Sequence, residues 1–229
     1  MPPPVSPALQ AVDVSRRYGR GRGAVTAVAA ASLTVAPGEI VGIHGSSGCG
    51  KSTLLRLLAG VERPTSGTVS LAGRPLAGRH PVPGAAMPIL QDPVGSLDPR
   101  WPVWRSITEP LTAPHRPSRP DRAGRREIAR ERLETVGLAG LDLDARPGEL
   151  SRGQCQRVAI LRALVAEPAV VLADEPTSAL DVSVSAGILH LLAGVAGRGA
   201  ALVVVSHDLA VLDVLCHRVL VMTGGRLPG

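Results

Sequence analysis

The 229-residue sequence predicts an α/β fold built around a parallel β-sheet. Two observations lead to this prediction. A short apolar strand, residues 40–43, is followed directly by a glycine-rich loop and by a segment with helical leucine spacing that ends near Gly60. A second apolar run, residues 169–174, is bounded by turn-forming residues, as buried parallel strands are. Strands and helices alternate around these two anchors, which favours a parallel sheet with connecting helices.

The other elements are predicted in chain order from the same periodicities. Two short strands joined by a Gly/Arg turn are expected within residues 11–37, and a further strand within residues 66–73. Residues 74–90 are rich in Pro and Gly and are predicted to be irregular, and residues 114–126 to form a polar loop. The rest reads as helices over residues 125–138, 154–168 and 182–196, a strand over 201–207 and a strand with a turn over 219–225.

Composition restricts the class of protein. Hydrophobic residues make up 45% of the chain, which is enough for a sizeable core. No apolar run approaches about 18 residues and no basic stretch precedes an apolar one at the N-terminus, so we expect neither a membrane span nor a secretory signal. The cysteines, Cys49, Cys155 and Cys216, lack metal-ligand spacing, which predicts reduced thiols in a cytoplasmic protein. Cys49 and Cys155, like His44 and His217, are expected to be packing residues.

Most of the positive charge comes from arginine. The net charge of +6 allows an acidic partner, such as nucleic acid or an anionic lipid surface. However, 24 of the 25 basic residues are Arg, and Asn and Phe are absent, which indicates codon drift in a GC-rich genome. Much of the Arg excess therefore needs no functional explanation. The single lysine, Lys51, lies in the glycine-rich loop, where a compact ammonium and a planar guanidinium are not interchangeable.

The glycine-rich loop has the pattern of a phosphate-binding loop. Gly45, Gly50, Lys51 and Ser52 satisfy the spacing G-x-x-x-x-G-K-[ST] between a predicted strand and a predicted helix. Backbone N–H groups and the helix N-terminus then face phosphate oxygens, the lysine neutralises them, and the serine hydroxyl can bind Mg²⁺. A plain glycine turn is the alternative, which the flanking strand and helix disfavour. The residues predicted to bind the nucleotide here are Gly45, Ser46, Ser47, Gly48, Cys49, Gly50, Lys51, Ser52 and Thr53.

Two further motifs carry chemistry. Asp174, at the end of a buried strand, can hold Mg²⁺ through water, and Glu175 can orient an attacking water and accept its proton. Their alternative role is to cap the next helix. In LSRGQCQR, residues 150–157, Ser151 is a plausible N-cap and the backbone N–H of Gly153 is exposed, which makes a second anion site. Two anion sites in one chain predict phosphate shared between two chains.

The phosphate loop, the Ser-x-Gly-Gln signature and the strand ending in Asp-Glu, in this order, resemble the nucleotide-binding subunit of an ABC transporter. The resemblance covers about residues 8–226. It implies one domain, residues 1–229, with a P-loop NTPase core: residues 8–90 hold a small antiparallel β subdomain and the phosphate loop, residues 92–155 form a helical subdomain, and residues 156–229 complete the core. It also implies a head-to-tail dimer, with each ATP between the phosphate loop of one subunit and the signature of the other.

The resemblance also implies roles for isolated residues. Tyr18, the only tyrosine, matches an aromatic residue that stacks on adenine. Gln91 matches a glutamine that links the Mg²⁺ site to the membrane partner. His207 matches a histidine that contacts the γ-phosphate. Residues 178–181, ending in Asp181, match a loop that touches the opposite subunit. The implied catalytic residues are Glu175, His207, Lys51 and Gln91; the implied signature contacts are Ser151, Gly153 and Gln154; and the implied Mg²⁺ ligands are Ser52, Gln91 and Asp174.

Residues 91–111 and 174–192 resemble the dipeptide, oligopeptide and nickel importer group. The resemblance implies an ATPase that powers solute import, with ATP and Mg²⁺ as cofactors. The implied partners are transmembrane permease subunits, a second ABC ATPase subunit and, indirectly, an extracytoplasmic solute-binding protein; nucleic acid is not expected. The implied location is peripheral, at the cytoplasmic face of the cell membrane. The solute, and whether the second subunit is a copy or a paralogue, stay open.

The sequence departs from the family pattern at several points. Arg152 stands where the signature usually has its first glycine, and it either points outward or adds charge near the phosphate. Peptide importers usually continue with a C-terminal extension after the last strand. Residues 80–90 stand where the family usually has a basic strand. Trp101 and Trp104 are either interface anchors or core residues. Residues 116–132 carry seven Arg against three acids, and this segment either touches anionic lipid or is a solvated face.

Two other functions remain as alternatives. One is a soluble ABC ATPase that acts on nucleic acid or ribosomes, which the positive charge permits. The absence of a second ABC domain, of a coiled-coil insertion and of zinc ligands from the sequence disfavours it. The other is a weakly active regulatory half of a heterodimer, with Arg152 as its mark.

Overall fold

Five parallel strands form the central sheet of the molecule. The computed structural model describes residues 6–76, 85–113, 116, 118–178 and 180–228. The strands of this sheet are β3 Ile40–His44, β6 Ala86–Ile89, β7 Val170–Asp174, β8 Ala201–Ser206 and β9 Arg218–Val221. Their order is β6-β7-β8-β3-β9, and each neighbouring pair is parallel. The prediction of an α/β fold with a parallel sheet is confirmed.

A second, antiparallel sheet lies at the N-terminal side of the chain. Its strands are β1 Leu9–Tyr18, β2 Val25–Val35, β4 Ser66–Leu71 and β5 Arg74–Pro75. They pair in the order β2-β1-β4-β5. A single 3-10 turn at Gly21–Gly23 stands where the sequence predicts the Gly/Arg turn. The strands on either side have 10 and 11 residues, so they are longer than the sequence pattern suggests.

Six α-helices connect these strands in the described part of the chain. Four begin at a side chain that accepts a backbone N–H, namely Asp121, Ser151, Asp181 and Asp208. No helix there has both the length and the apolar character needed to cross a bilayer. The helices are α1 Lys51–Leu58, α2 Val103–Thr108, α3 Arg122–Glu134, α4 Arg152–Leu164, α5 Val182–Gly197 and α6 Leu209–Leu215. We did not predict α2 and α6, because helices of six and seven residues are too short to show a helical period.

The parallel sheet divides the core into two layers. On β8, Leu202 and Val204 pack into the cluster built from α2 to α6, whereas Val203 and Val205 pack into the cluster built from α1 and the antiparallel sheet. Alternate residues of a strand point to opposite faces, so a strand covered on both faces is apolar throughout. This accounts for the uninterrupted apolar runs of β7 and β8, in which every residue is buried.

The prediction of irregular structure over residues 74–90 is wrong at both ends. Arg74–Pro75 extends the antiparallel sheet, and Ala86–Ile89 is the edge strand of the parallel sheet, paired with β7. Pro88 is tolerated in this strand because an edge strand leaves one row of N–H groups unpaired. Residues 77–84, which include the first five residues of the stretch expected to replace a basic strand, lie outside the described residues.

The boundaries of α3 and α4 also differ from the predictions. The predicted polar loop over residues 114–126 ends early, since α3 starts at Arg122, where the Asp121 carboxylate accepts the N–H of Gly124 at 2.8 Å. Residues 114, 115 and 117 lie outside the described residues. Helix α4 starts at Arg152, so a subdomain boundary at residue 155 falls within a single helix.

The structure separates the roles of the two tryptophans. Trp104 is 7% exposed and belongs to the helical core cluster, which favours the core interpretation for this residue. Arg125 lies 5.0 Å from its ring centroid. Trp101 is only partly buried, and the Arg105 guanidinium lies 4.2 Å from its ring centroid. A guanidinium over an aromatic face is a cation–π contact.

Three of the four expected packing residues are at least partly buried. Cys49 and Cys155 are buried, and His44 is partly buried. The expectation for His217 is wrong: the residue is exposed, and its Nδ1 accepts the backbone N–H of Ile40 at 2.8 Å. It therefore ties the end of α6 to the start of β3 by a hydrogen bond and not by packing.

Candidate nucleotide-binding site

The glycine-rich loop connects the end of β3 to the first turn of α1. Gly50 precedes this helix with a φ of 108°, and a Cβ there would lie 2.1 Å from the carbonyl oxygen of Ala27. A Cβ on Gly45 would lie 2.5 Å from the carbonyl oxygen of Met222. Neither position can accept a larger residue without moving backbone, so the loop is held tightly between β2 and the segment after β9.

The Lys51 side chain points back into the loop. The residue is 8% exposed, and its ammonium donates hydrogen bonds to the carbonyl oxygens of Gly45 and Ser46, the latter at 2.9 Å. The Sγ atom of Cys49 lies 3.9 Å from the same nitrogen. A buried ammonium at the start of a helix, beside glycine-rich backbone, is the charge arrangement that binds phosphate.

Asp174 ends β7 beside the phosphate loop and is 7% exposed. Burial raises the pKa of its carboxyl group, the hydrogen bond from the Ser52 hydroxyl lowers it, and the neighbouring Glu175 raises it again; the net pKa is above its ordinary value. A cation bound next to this carboxylate would favour its ionised form. Asp174 and Ser52 are therefore placed as a pair of oxygen ligands.

Glu175 follows Asp174 and is held by the residues at the end of β8. Its Oε1 accepts the backbone N–H of His207 at 2.9 Å and lies 2.7 Å from His207 Nδ1, while Ser206 donates its hydroxyl to Oε2 at 3.3 Å. Glu175 has a φ of 51°, which is a strained value for a residue with a side chain. The carboxylate is thus oriented by the last residue of β8 and by the histidine that follows it.

These groups line one cavity of about 260 Å³. The phosphate loop, Gln91, Asp174, Glu175 and His207 all follow the carboxyl ends of neighbouring parallel strands, which open on the same edge of the sheet. A hydroxyl, an amide and carboxylates are the oxygen ligands that Mg²⁺ prefers, and Lys51 offers an ammonium to phosphate. The residues present therefore fit a nucleotide with Mg²⁺. The cavity is lined by Ala27, Ser47, Gly48, Gly50, Lys51, Ser52, Thr53, Gln91, Asp174, Glu175 and His207.

Other predicted site residues do not line this cavity. Tyr18 is 37% exposed at the end of β1, and its hydroxyl donates to Glu62 at 2.5 Å. Ser151 and Gln154 cap the start of α4, where each side chain bonds the backbone N–H of the other. Asp181 caps α5, and the N–H of Val184 lowers the pKa of its carboxyl group. Their roles at the nucleotide stay predictions.

Two residues at the site were missed by the sequence analysis. Ser206 bonds Glu175 directly, and its position immediately before His207 was a usable signal. Gln156 lies within the signature segment, residues 150–157. Its Nε2 donates to the carbonyl oxygen of Pro176 at 3.0 Å, next to Glu175. Nothing in the linear pattern indicated that contact, because the two residues meet only in the folded chain.

Arg152 causes no backbone strain in the signature. It is the first residue of α4, is exposed, and does not have a positive φ. An arginine is therefore as acceptable there as the usual glycine, and the following Gly153 is retained.

We expect Arg152→Gly to change little. The free energy of unfolding should stay within about 0.5 kcal/mol of wild type, since surface changes away from special features are usually neutral. ATP turnover should stay within about twofold. Gly153→Arg serves as the comparison, because Gly153 carries the predicted anion site of the signature, and its turnover should be lost. A tenfold change in the Michaelis constant for Arg152→Gly would show that the guanidinium acts at the phosphate.

Comparisons with known proteins bear on the family of the chain. The ABC transporter family model matches residues 28–178. A probable D,D-dipeptide transport ATP-binding protein of Escherichia coli (strain K12) is 42% identical over 89% of the chain and 63% of its own length. A nickel import ATP-binding protein of Rhodospirillum rubrum is 38% identical over 97% of the chain and 83% of its own length. Relative to the first of these, the chain spans less than two thirds of the length.

A solved structure has the same fold. A dimeric ATP-binding cassette in a post-hydrolysis state, bound to ADP and Pi, superimposes with a TM-score of 0.89 at 29% sequence identity, over 96% of this chain and 97% of the other. The predicted P-loop fold of the ABC type is confirmed. From the matched motifs, the parallel sheet and these similarities, the chain belongs to the ABC transporter family.

Proposed function

We propose that the chain is the ATP-hydrolysing subunit of a solute importer, for peptides, nickel or a related small solute. The observation that carries this proposal is the single cavity in which Lys51, Ser52, Asp174, Glu175 and His207 meet. An ammonium for phosphate, oxygen ligands for a cation and a held carboxylate are the parts that phosphoryl transfer to water needs. Relatives named as dipeptide and nickel transport ATP-binding proteins support the solute class.

In this proposal the chain's own residues act mainly by position and charge. Glu175 orients the attacking water and accepts its proton, and Lys51 stabilises negative charge on the γ-phosphate. His207 presents Nδ1 to Glu175, which leaves Nε2 to face a phosphate oxygen. Ser52, Gln91 and Asp174 would hold Mg²⁺, which supplies charge neutralisation on the β- and γ-phosphate oxygens when bound. Tyr18 would stack on the adenine.

A second ABC ATPase subunit completes the proposed site. Ser151, Gly153, Gln154 and Asp181 do not line the cavity of their own chain, which agrees with a role at the nucleotide of another. A dimeric cassette of the same fold supports this assembly. Transmembrane permease subunits, contacted near Gln91, would convert closure and reopening of the dimer into transport, with the chain at the cytoplasmic face of the membrane and a solute-binding protein acting indirectly.

The proposed subunit is one domain over residues 1–229. It combines the core and β subdomain of residues 8–90, a helical subdomain of residues 92–155 and the rest of the core in residues 156–229. The antiparallel sheet lies within the first range, and α2 and α3 lie within the second, which supports this division apart from the boundary at residue 155, which falls within α4.

A pull-down from detergent-solubilised membranes tests the function. Tagged Glu175→Gln protein with Mg-ATP is expected to retain multi-span permease subunits, identified by mass spectrometry, because slowed hydrolysis keeps the assembly closed. Lys51→Ala protein, prepared in parallel, lacks the phosphate-binding ammonium and is the matched control for ATP-dependent capture. Recovery of ribosomal or DNA-bound proteins without any membrane component would overturn the importer proposal and favour the soluble alternative.

A further inference from the structure

Gln156 connects the helix that follows the signature to the loop that carries Glu175. It lies in α4, is fully buried, and donates from Nε2 to the carbonyl oxygen of Pro176 at 3.0 Å. A carbonyl can only accept a hydrogen bond, so the amide nitrogen must be the atom that faces Pro176. The orientation of the amide is therefore settled by its partner.

The amide oxygen of Gln156 has no hydrogen-bond donor to compensate for its burial. Gln156 Oε1 is buried and accepts no hydrogen bond from a described residue. A buried acceptor without a donor is unfavourable, and an apolar residue of the same size would avoid that cost. The contact with Pro176 is thus a poor device for stability alone, which points to a role in positioning.

Glu175, the residue before Pro176, needs such positioning. Glu175 has a φ of 51°, and conformations of this kind persist only where the surroundings fix them. Its N–H donates to Val205, and its carbonyl oxygen accepts both the N–H and the hydroxyl of Ser178. These contacts come from β8 and from the turn itself, whereas the Gln156 contact comes from α4.

The first turn of α4 is rigidly connected to Gln156. Ser151 and Gln154 cap each other at 2.8 and 3.2 Å. The neighbouring Arg157 donates from Nε to the carbonyl oxygen of Gly153 at 3.3 Å and from Nη1 to that of Val136 at 3.1 Å. A displacement of this turn, for example by phosphate bound at the predicted anion site of the signature, moves Gln156 with it.

We propose that Gln156 is a positioning residue that couples the signature turn of α4 to the carboxylate of Glu175. Through the Pro176 carbonyl it fixes the strained backbone that aims Glu175 into the cavity. One chain's signature turn would thereby set the catalytic carboxylate of that same chain. This inference rests on the proposed ATPase function. It adds a connection between the signature turn and the cavity that holds Glu175, each of which would face a different nucleotide.

Gln156→Met tests the coupling, because methionine keeps the length of the side chain but cannot donate. In wild-type background, kcat for ATP should fall about 10- to 100-fold, as expected for a misplaced catalytic group, while KM changes less than twofold. Thr108→Val is the matched control. Thr108 is fully buried in α2 and donates to the Trp104 carbonyl at 2.7 Å, away from the cavity. Loss of this hydrogen bond in Thr108→Val should lower Tm and leave kcat unchanged.

Hydrogen exchange gives a second readout that does not need turnover. The Ser178 N–H, bonded to the Glu175 carbonyl, should exchange at least tenfold faster in Gln156→Met and at the wild-type rate in Thr108→Val. Unchanged kcat together with unchanged exchange would overturn the coupling, as would a kcat loss that only parallels a fall in Tm. If wild type itself hydrolyses no ATP, the proposed function fails, and exchange at Ser178 still decides whether Gln156 fixes the loop.

Discussion

Replacement of Glu175 by glutamine is expected to slow ATP turnover about a thousandfold, within the range that a lost general base produces. The amide cannot accept the proton of an attacking water, but its oxygen can still accept the His207 N–H that now lies 2.9 Å from Oε1. The loop geometry is thus retained and only the base is removed. Affinity for ATP should stay within about twofold, because the phosphate loop is unchanged.

The measurement is steady-state phosphate release beside equilibrium binding of a fluorescent ATP analogue. Glu127→Gln is the matched control: Glu127 is an exposed residue of α3 that pairs with Arg130, and its turnover should equal wild type. If wild type turned over no faster than Glu175→Gln, the chain would be a weakly active regulatory subunit, and the hydrolytic role proposed for Glu175 would be wrong.

Lys51→Arg is expected to weaken ATP binding about 100-fold, although the charge is kept. Lys51 is almost fully buried, with Nζ between the carbonyl oxygens of Gly45 and Ser46 and the Cys49 sulfur. A planar guanidinium needs more room and cannot place a point charge there. Loss of one charge-assisted hydrogen bond, at about 1.5–3 kcal/mol, corresponds to a factor of this size.

Binding by calorimetry measures this effect, with Arg130→Lys on α3 as the reverse exchange at an exposed site, where wild-type affinity is expected. The sequence offers a second readout, since Lys51 is its only lysine side chain. ATP should protect that residue from an amine-reactive reagent in the wild-type protein. Full affinity in Lys51→Arg, or labelling of Lys51 unaffected by ATP, would show that the ammonium does not contact the phosphates.

Local sequence patterns were sufficient to predict the helix that follows the glycine-rich loop and the buried strand that ends at Asp174. The loop spacing placed Lys51 and Ser52 correctly at the start of α1, and the apolar run before Asp174 predicted β7, because a strand covered on both faces must be apolar at every position. The same patterns failed for Ala86–Ile89. That strand is short and contains Pro88, and it is a strand only because β7 offers it an edge.

The sequence by itself determined the motifs and their order, and through the resemblance to a family it predicted the roles of an ammonium, a hydroxyl and two carboxylates. Only the tertiary structure decided which of these groups meet. Gln91, Asp174 and His207 lie far apart in the chain, yet they line one cavity with the phosphate loop, because parallel strands all present their carboxyl ends at one edge. The hydrogen bonds of Glu175 to Ser206 and His207, and of Gln156 to Pro176, likewise join residues 20 to 32 positions apart, a distance at which sequence periodicity carries no information on contact.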